Sequence, residues 1–155
     1  MSLQVTIKTK EEADAFLSFI GGFEEKRFAE EGFSKEKFGA EWEGFSWFGD
    51  IKKFISEEGR GADEVAQELR RLEKWVRGLE TVRIATSFKP SEEFLYHVYD
   101  VFAGKGIKDF VVDSAVDKKI KGGAQVFCKG KYIDATLKTR VKNLLMSQDV
   151  VGKYL

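Results

Sequence analysis

A chain of 155 residues, 43% hydrophobic and 34% charged, reads as a folded protein with enough apolar mass to build its own core. No apolar run approaches the ~20 residues of a membrane-spanning helix, and the opening MSLQVTIKTKEE has neither signal-peptide nor transit-peptide layout, so a cytoplasmic setting is expected. Net charge is zero, but residues 1–80 carry 13 Lys and Arg against 18 Asp and Glu, a difference of −5, and residues 81–155 carry 13 against 8, a difference of +5, which predicts two segments with different neighbours.

Residues 3–7 (LQVTI) alternate like a short strand or an extended lead-in. Thr9 and Glu12 then stand in capping-box spacing. A helix follows with Ala13, Phe16, Leu17 and Ile20 on one face, and Gly21-Gly22 predicts its end or a kink. Phe23, Phe28, Phe33 and Phe38 recur every five residues, followed by Trp42, Phe45, Trp47, Phe48 and Phe54. A five-residue step rotates ~140° on a helix, so these rings cannot share one face of one continuous helix. Gly32, Gly39, Gly44 and Gly49 break the segment further. Two readings stand: short helices that pack rings into a core, or a partly exposed aromatic surface for a protein partner. A short helix ending near residue 58 comes next. The cleanest helix spans residues 62–79, where Val65, Leu69, Leu72, Val76 and Leu79 form a heptad-type seam.

At Thr81 the period changes. Val82, Ile84 and Thr86 alternate as a strand does. Pro90 and Ser91 open a helix with Phe94, Leu95, Val98, Val101 and Phe102 as its apolar residues, and Gly104 and Gly106 close it. A second strand is predicted over residues 107–113 (IKDFVVD). Residues 124–129 and 131–134 form a hairpin around Gly130, and a last helix runs over 136–146 with Leu137, Val141, Leu144 and Leu145 facing in. The expected fold class is α+β: a helical N-terminal bundle, residues 1–80, then a small mixed β-sheet domain with packed helices, residues 81–155.

No catalytic constellation is visible. His97 and Cys128 are the only residues of their kind, one in a helix and one in a hairpin, with no third group placed to orient a dyad; they are also too few for a zinc site. One cysteine permits no intrachain disulfide. Gly104-Lys105-Gly106 follows a helix where a phosphate loop would precede one, so it reads as a C-cap. Lys118, Lys119, Lys121, Lys129 and Lys131 lie near the hairpin, with Phe127 and Tyr132 as stacking rings, but no RNA-binding motif accompanies them. No catalytic residue, cofactor, metal or nucleic acid is expected.

The second half does carry a recognisable order of parts: a strand, a Pro-Ser-Glu-Glu helix, then V-D-x-x-I-x-G-G, a hairpin with a central glycine, and I-D-x-[ST]-L-x-x-[RK] opening the last helix. The matching residues are Val116, Asp117, Ile120, Gly122 and Gly123, then Ile133, Asp134, Thr136, Leu137 and Arg140. This stretch, about 82–145, resembles the C-terminal domain of the delta subunit of F-type ATP synthase, the oligomycin-sensitivity-conferring protein family. Gly122, Gly123, Asp134, Thr136, Leu137 and Arg140 are framework residues on this reading: the glycines permit a close turn, and Asp134 or Thr136 caps the last helix.

The resemblance implies a non-catalytic stator subunit, peripheral to the cytoplasmic face of the cell membrane. It would tie the alpha subunit of the catalytic head to the b-type stalk helices and resist rotation of the head. Tyr96, Val98, Tyr99, Phe102, Val141 and Leu145 are then candidates to receive a stalk helix, and Phe23, Phe28, Trp42 and Trp47 are candidates to meet the head. The family has a six-helix N-terminal bundle; only about 80 residues precede Val82 here, and segment 23–54 has no familiar counterpart. A shorter bundle of three or four helices is expected, with 62–79 as the helix leading into the C-terminal domain. A stalk subunit of a vacuolar or archaeal-type ATPase, and an unrelated interaction module that uses segment 23–54, are the alternatives.

Overall fold

The computed structural model of the chain describes residues 2–28, 40–57, 61–139 and 143, and divides into two compact units, Met1–Leu79 and Glu80–Leu155. The first unit is helical. It comprises α1 (Lys10–Phe28), a short 3-10 turn (Ala40–Trp42), α2 (Ser46–Ser56) and α3 (Ala62–Arg77).

The capping box forms as its spacing predicts. Glu12 N donates to Thr9 Oγ1 at 3.2 Å, while Glu12 Oε2 accepts from Thr9 N at 3.1 Å and Lys8 N at 2.7 Å. Both capping side chains are buried, so these bonds satisfy donors that water could not reach. Residues 3–7 run extended with no strand pairing, and Leu3 and Ile7 point inward. Gly21 and Gly22 do not end α1, which continues to Phe28. Two helical glycines cost about 2 kcal/mol relative to alanine. Phe19, Ile20 and Phe23 are all buried across that stretch, and each such burial contributes about 1.5–3 kcal/mol, so packing overrides propensity. Gly49 likewise sits inside α2 without breaking it, between buried Phe48 and Ile51.

Most of the described rings of segment 23–54 lie in a core, with Trp42 and Phe45 half-buried at its edge. Trp47 is fully buried, with Phe16 edge-on at 5.2 Å, Phe19 at 5.5 Å and Phe45 stacked at 5.5 Å. Phe48 and Phe54 are buried beside Ile51 on the same helix. In α3 the heptad residues Val65, Leu69, Leu72 and Val76 are buried as the seam predicts, and Ala66 joins them. Phe33 and Phe38, and the side chain of Phe28, lie outside the described residues.

The second unit is a mixed sheet with a helix on it: β1 (Glu80–Thr86), α4 (Glu92–Gly104), β2 (Phe110–Val116), β3 (Gly123–Cys128) and β4 (Lys131–Thr136). Strand order is β2-β1-β3-β4. β1 and β2 are parallel, joined through α4, while β1–β3 and β3–β4 are antiparallel. The chain is therefore α+β, as its pattern of elements implies.

Ser91 caps α4, its hydroxyl accepting from Phe94 N at 3.2 Å. At the other end Ile107 N bonds Phe102 O and Gly106 N bonds Ala103 O, with Gly106 at φ +85. That is a Schellman closure, and only glycine enters it without strain. It also corrects the predicted start of the second strand. Residues 105–107 belong to the helix cap and Asp109 takes a φ of 54°, so β2 begins at Phe110 and runs to Val116. Ile107 packs against the core from the cap instead of from the sheet. The hairpin forms where predicted, around Lys129 (φ 49°) and Gly130 (φ 72°), a pair of positive φ values suited to a two-residue turn.

A candidate protein-interaction surface on the second unit

The alternation of each strand divides the sheet into two faces. On one, Val82, Ile84, Phe110 and Val112 pack with Val98 of α4, and Leu95, Tyr99, Phe102, Ala124, Val126 and Cys128 close around them. Tyr99 stacks on Phe110 at 4.6 Å. On the other face, cross-strand register sets Asp113, Arg83, Phe127 and Tyr132 in one row over all four strands.

This arrangement sorts the residues expected at a stalk-helix interface. Val98 is a core residue, and Tyr99 and Phe102 press onto Phe110 from the inner side of α4. Tyr96 lies at the helix edge, its hydroxyl donating to Glu92 Oε1 at 2.7 Å. Val141 and Leu145 lie outside the described residues, as does Arg140. What the helix does present to solvent is Phe94, 39% exposed, and Val101, 42% exposed, seven residues apart and so on one side of α4. The sequence marks both as apolar-face residues; their outward placement follows from how α4 rolls onto the sheet.

Of the residues expected to meet the head, Phe23 and Trp47 are buried within the first unit. Their rings bind the helices to one another, which leaves them no surface to offer. Trp42 is half-buried, 6.1 Å from Trp47 and 6.2 Å from Phe19. The indole N–H groups of Trp42 and Trp47 are buried without a hydrogen-bond partner among the described residues.

The framework residues come together at one end of the sheet. Gly123 has φ +76, and a Cβ there would fall 2.3 Å from Ala135 O and 2.9 Å from Thr136 Cα, so only glycine fits. Gly122 accepts from Leu137 N at 2.9 Å, and its open side lies against the Leu137 side chain. Leu137 was expected to face inward; it is 54% exposed, because its contact is this glycine and not the core. Asp134 Oδ1 accepts from Thr136 N at 2.9 Å, and Thr136 Oγ1 accepts from Thr139 N at 3.4 Å. The Thr136 hydroxyl, its backbone N–H and the Thr139 hydroxyl hold the Asp134 carboxyl down at about 2. Both candidate capping residues thus act in series at the start of the closing helical turn.

His97 is exposed on α4 and Cys128 packs at the edge of the core. Among the described residues no group of three His, Cys, Asp or Glu could hold a metal ion, and no helix is long and apolar enough to cross a membrane. The second unit presents apolar residues at its surface, among them Phe94 and Val101 on α4 and Phe127 and Tyr132 on the sheet.

No curated protein matches the chain. The sequence model of the family described as ATP synthase delta (OSCP) subunit matches residues 54–147, which takes in the end of α2, all of α3 and the whole described part of the second unit. Since that range is more than half of its 155 residues, this chain belongs to the delta (OSCP) subunit family of ATP synthase, a non-catalytic component of the peripheral stalk.

Proposed function

We propose that the chain is the stator link of a rotary F-type ATP synthase: it joins the alpha subunit of the catalytic head to the b-type stalk helices and resists rotation of the head while the rotor turns. The family match carries this reading. The second unit supplies the kind of surface it needs, since Phe94 and Val101 line an outward edge of α4, where an amphipathic stalk helix can bury apolar area against a helix already locked to its sheet. Among the described head candidates, Trp42 is the one not fully buried in the first unit, and it is the residue there that would meet the head. The chain acts at the cytoplasmic face of the membrane through the complex.

Affinity purification of the tagged chain from its native membranes tests this. Recovery of both a head alpha subunit and a b-type stalk subunit is expected. Recovery of neither overturns the proposal. Membranes depleted of the chain are expected to hydrolyse ATP and yet lose ATP-driven ion pumping, because a head free to turn does no work on the rotor.

A further inference from the structure

The sheet face that carries α4 is closed over only half its width among the described residues. α4 joins the parallel pair β1–β2 and lies over it, where Val82, Ile84, Phe110 and Val112 are buried and Tyr99 stacks on Phe110. Register carries the same face on across β3 and β4. Val126 stands opposite Ile84, Ile133 stands opposite Val126, and Ala124 pairs with Ala135 beside them. This half stays open: Ile133 is 54% exposed, Ala135 is exposed and Val126 is only half-buried.

The exposed residues of α4 form the wall of that open half. Tyr99 points towards β2. On a helix Phe94 and Val101 stand about 140° and 160° round from it, on the flank turned towards β3 and β4. The result is a trough with Val126 at its floor, Phe94 and Val101 on one side, and Ile133 and Ala135 on the other. Two strands at about 4.8 Å spacing make it roughly as wide as one helix, about 10 Å. A sheet face offers no backbone donors or acceptors, so an occupant must bond its own backbone, as a helix does. Of the residues that β3 and β4 turn to this face only Lys131, at the hairpin end, is charged, so the stripe that fits is aliphatic.

We propose that this trough is the seat of the stalk helix: one amphipathic helix, about as long as the 13 residues of α4, lies alongside α4 with its aliphatic stripe on Val126 and Ile133 and its flank on Phe94 and Val101. The proposal rests on the stator reading for the identity of the helix, and it goes beyond that reading in carrying the contact from α4 onto β3 and β4. A helix seated there lies about 8–10 Å from α4, the ordinary spacing of packed helices, and completes the cover of the sheet. Ala135 is small enough to let it approach the strand.

A photo-crosslinking amino acid, p-benzoyl-phenylalanine, tests it in the assembled, purified complex, placed at Ile133 in one preparation and at Tyr132, its neighbour on the opposite face, in another. After irradiation the crosslinked peptides are sequenced. The expected result is an adduct from position 133 to the b-type subunit that position 132 does not give. Ile133→Asp and Ala135→Trp, both at exposed positions, should each lower recovery of the b-type subunit with the tagged chain about fivefold, with the head alpha subunit still recovered and the thermal midpoint within about 2 °C. The proposal is overturned by no adduct at 133, by an adduct only to a head subunit or within this chain (residues 140–155 included), or by full recovery of the b-type subunit with both variants. If the unsubstituted chain recovers no b-type subunit, the stator reading fails and the trough with it. If the b-type subunit is present and position 133 does not reach it, the trough alone fails.

Discussion

Glu68 collects donors from three directions. Its Oε1 accepts from Leu3 N at 2.8 Å, Ser2 Oγ at 3.0 Å and Arg71 Nη2 at 2.7 Å, while Arg71 Nη2 also donates to Leu3 O at 2.7 Å. The extended lead-in is thereby latched to α3. The Arg71 hydrogen bond, seconded by the Leu3 and Ser2 donors and opposed by partial burial, lowers the Glu68 carboxyl from 4.5 to about 2. A carboxylate depressed in the folded state stabilises fully above its unfolded value. That contribution is lost as pH falls from about 4.5 towards 2. Glu68→Gln is expected to cost about 1–2 kcal/mol at neutral pH, held to that by the exposure of Arg71, and to flatten the acid limb of stability in that window. Urea unfolding at pH 7 and pH 3 checks it; an equal loss at both would show that the latch does not depend on the charge. None of this was legible beforehand. Glu68 reads as one of several charged residues on the solvent side of a heptad helix, because its partners lie 65 and 66 positions away.

At the scale of elements the local rules predict well wherever an interaction closes within a few residues. Thr9–Glu12, Ser91, the Gly106 closure and the Gly130 hairpin are all short-range chemistry, and all form. Ser91→Ala is expected to destabilise the chain by about 1 kcal/mol, seen as a lowered thermal midpoint with unchanged folded-state circular dichroism. Gly123→Ala should be far more costly, on the order of 3 kcal/mol, since it combines a positive φ with a Cβ 2.3 Å from a backbone oxygen. Gly122→Ala should be milder, as its nearest neighbour is the exposed side chain of Leu137, which can give way. A Gly122→Ala loss as large as that of Gly123→Ala would contradict the close-approach account. Local rules fail where burial outbids propensity, as at Gly21-Gly22 and Gly49, and where a cap consumes residues that look like strand, as at Ile107.

For the whole molecule, the split between an aromatic helical unit and a sheet unit places the exposed apolar residues usefully. Phe23 and Trp47, two of the rings of the first unit expected to dock, are spent on its own core, whereas α4 leaves Phe94 and Val101 outside. Val101→Asp is therefore expected to leave the thermal midpoint within about 2 °C, in keeping with a surface substitution, while reducing recovery of the b-type subunit with the tagged chain several-fold. Unchanged recovery would remove that edge of α4 from the interface.

Composition, periodicity and spacing determined by themselves that the chain is α+β, where most of its helices and strands lie, and which glycines and caps build the second unit; the family entered through the resemblance of its ordered motifs. Those properties rest on nearest-neighbour chemistry and on the order of elements, and both are written along the chain. Which residues face a partner was decided only by the tertiary structure. Helix roll, strand register and core filling are contests among residues far apart in sequence. They turned Trp47 and Phe23 inward, Phe94 and Leu137 outward, and drew Arg83, Phe127 and Tyr132 into one row.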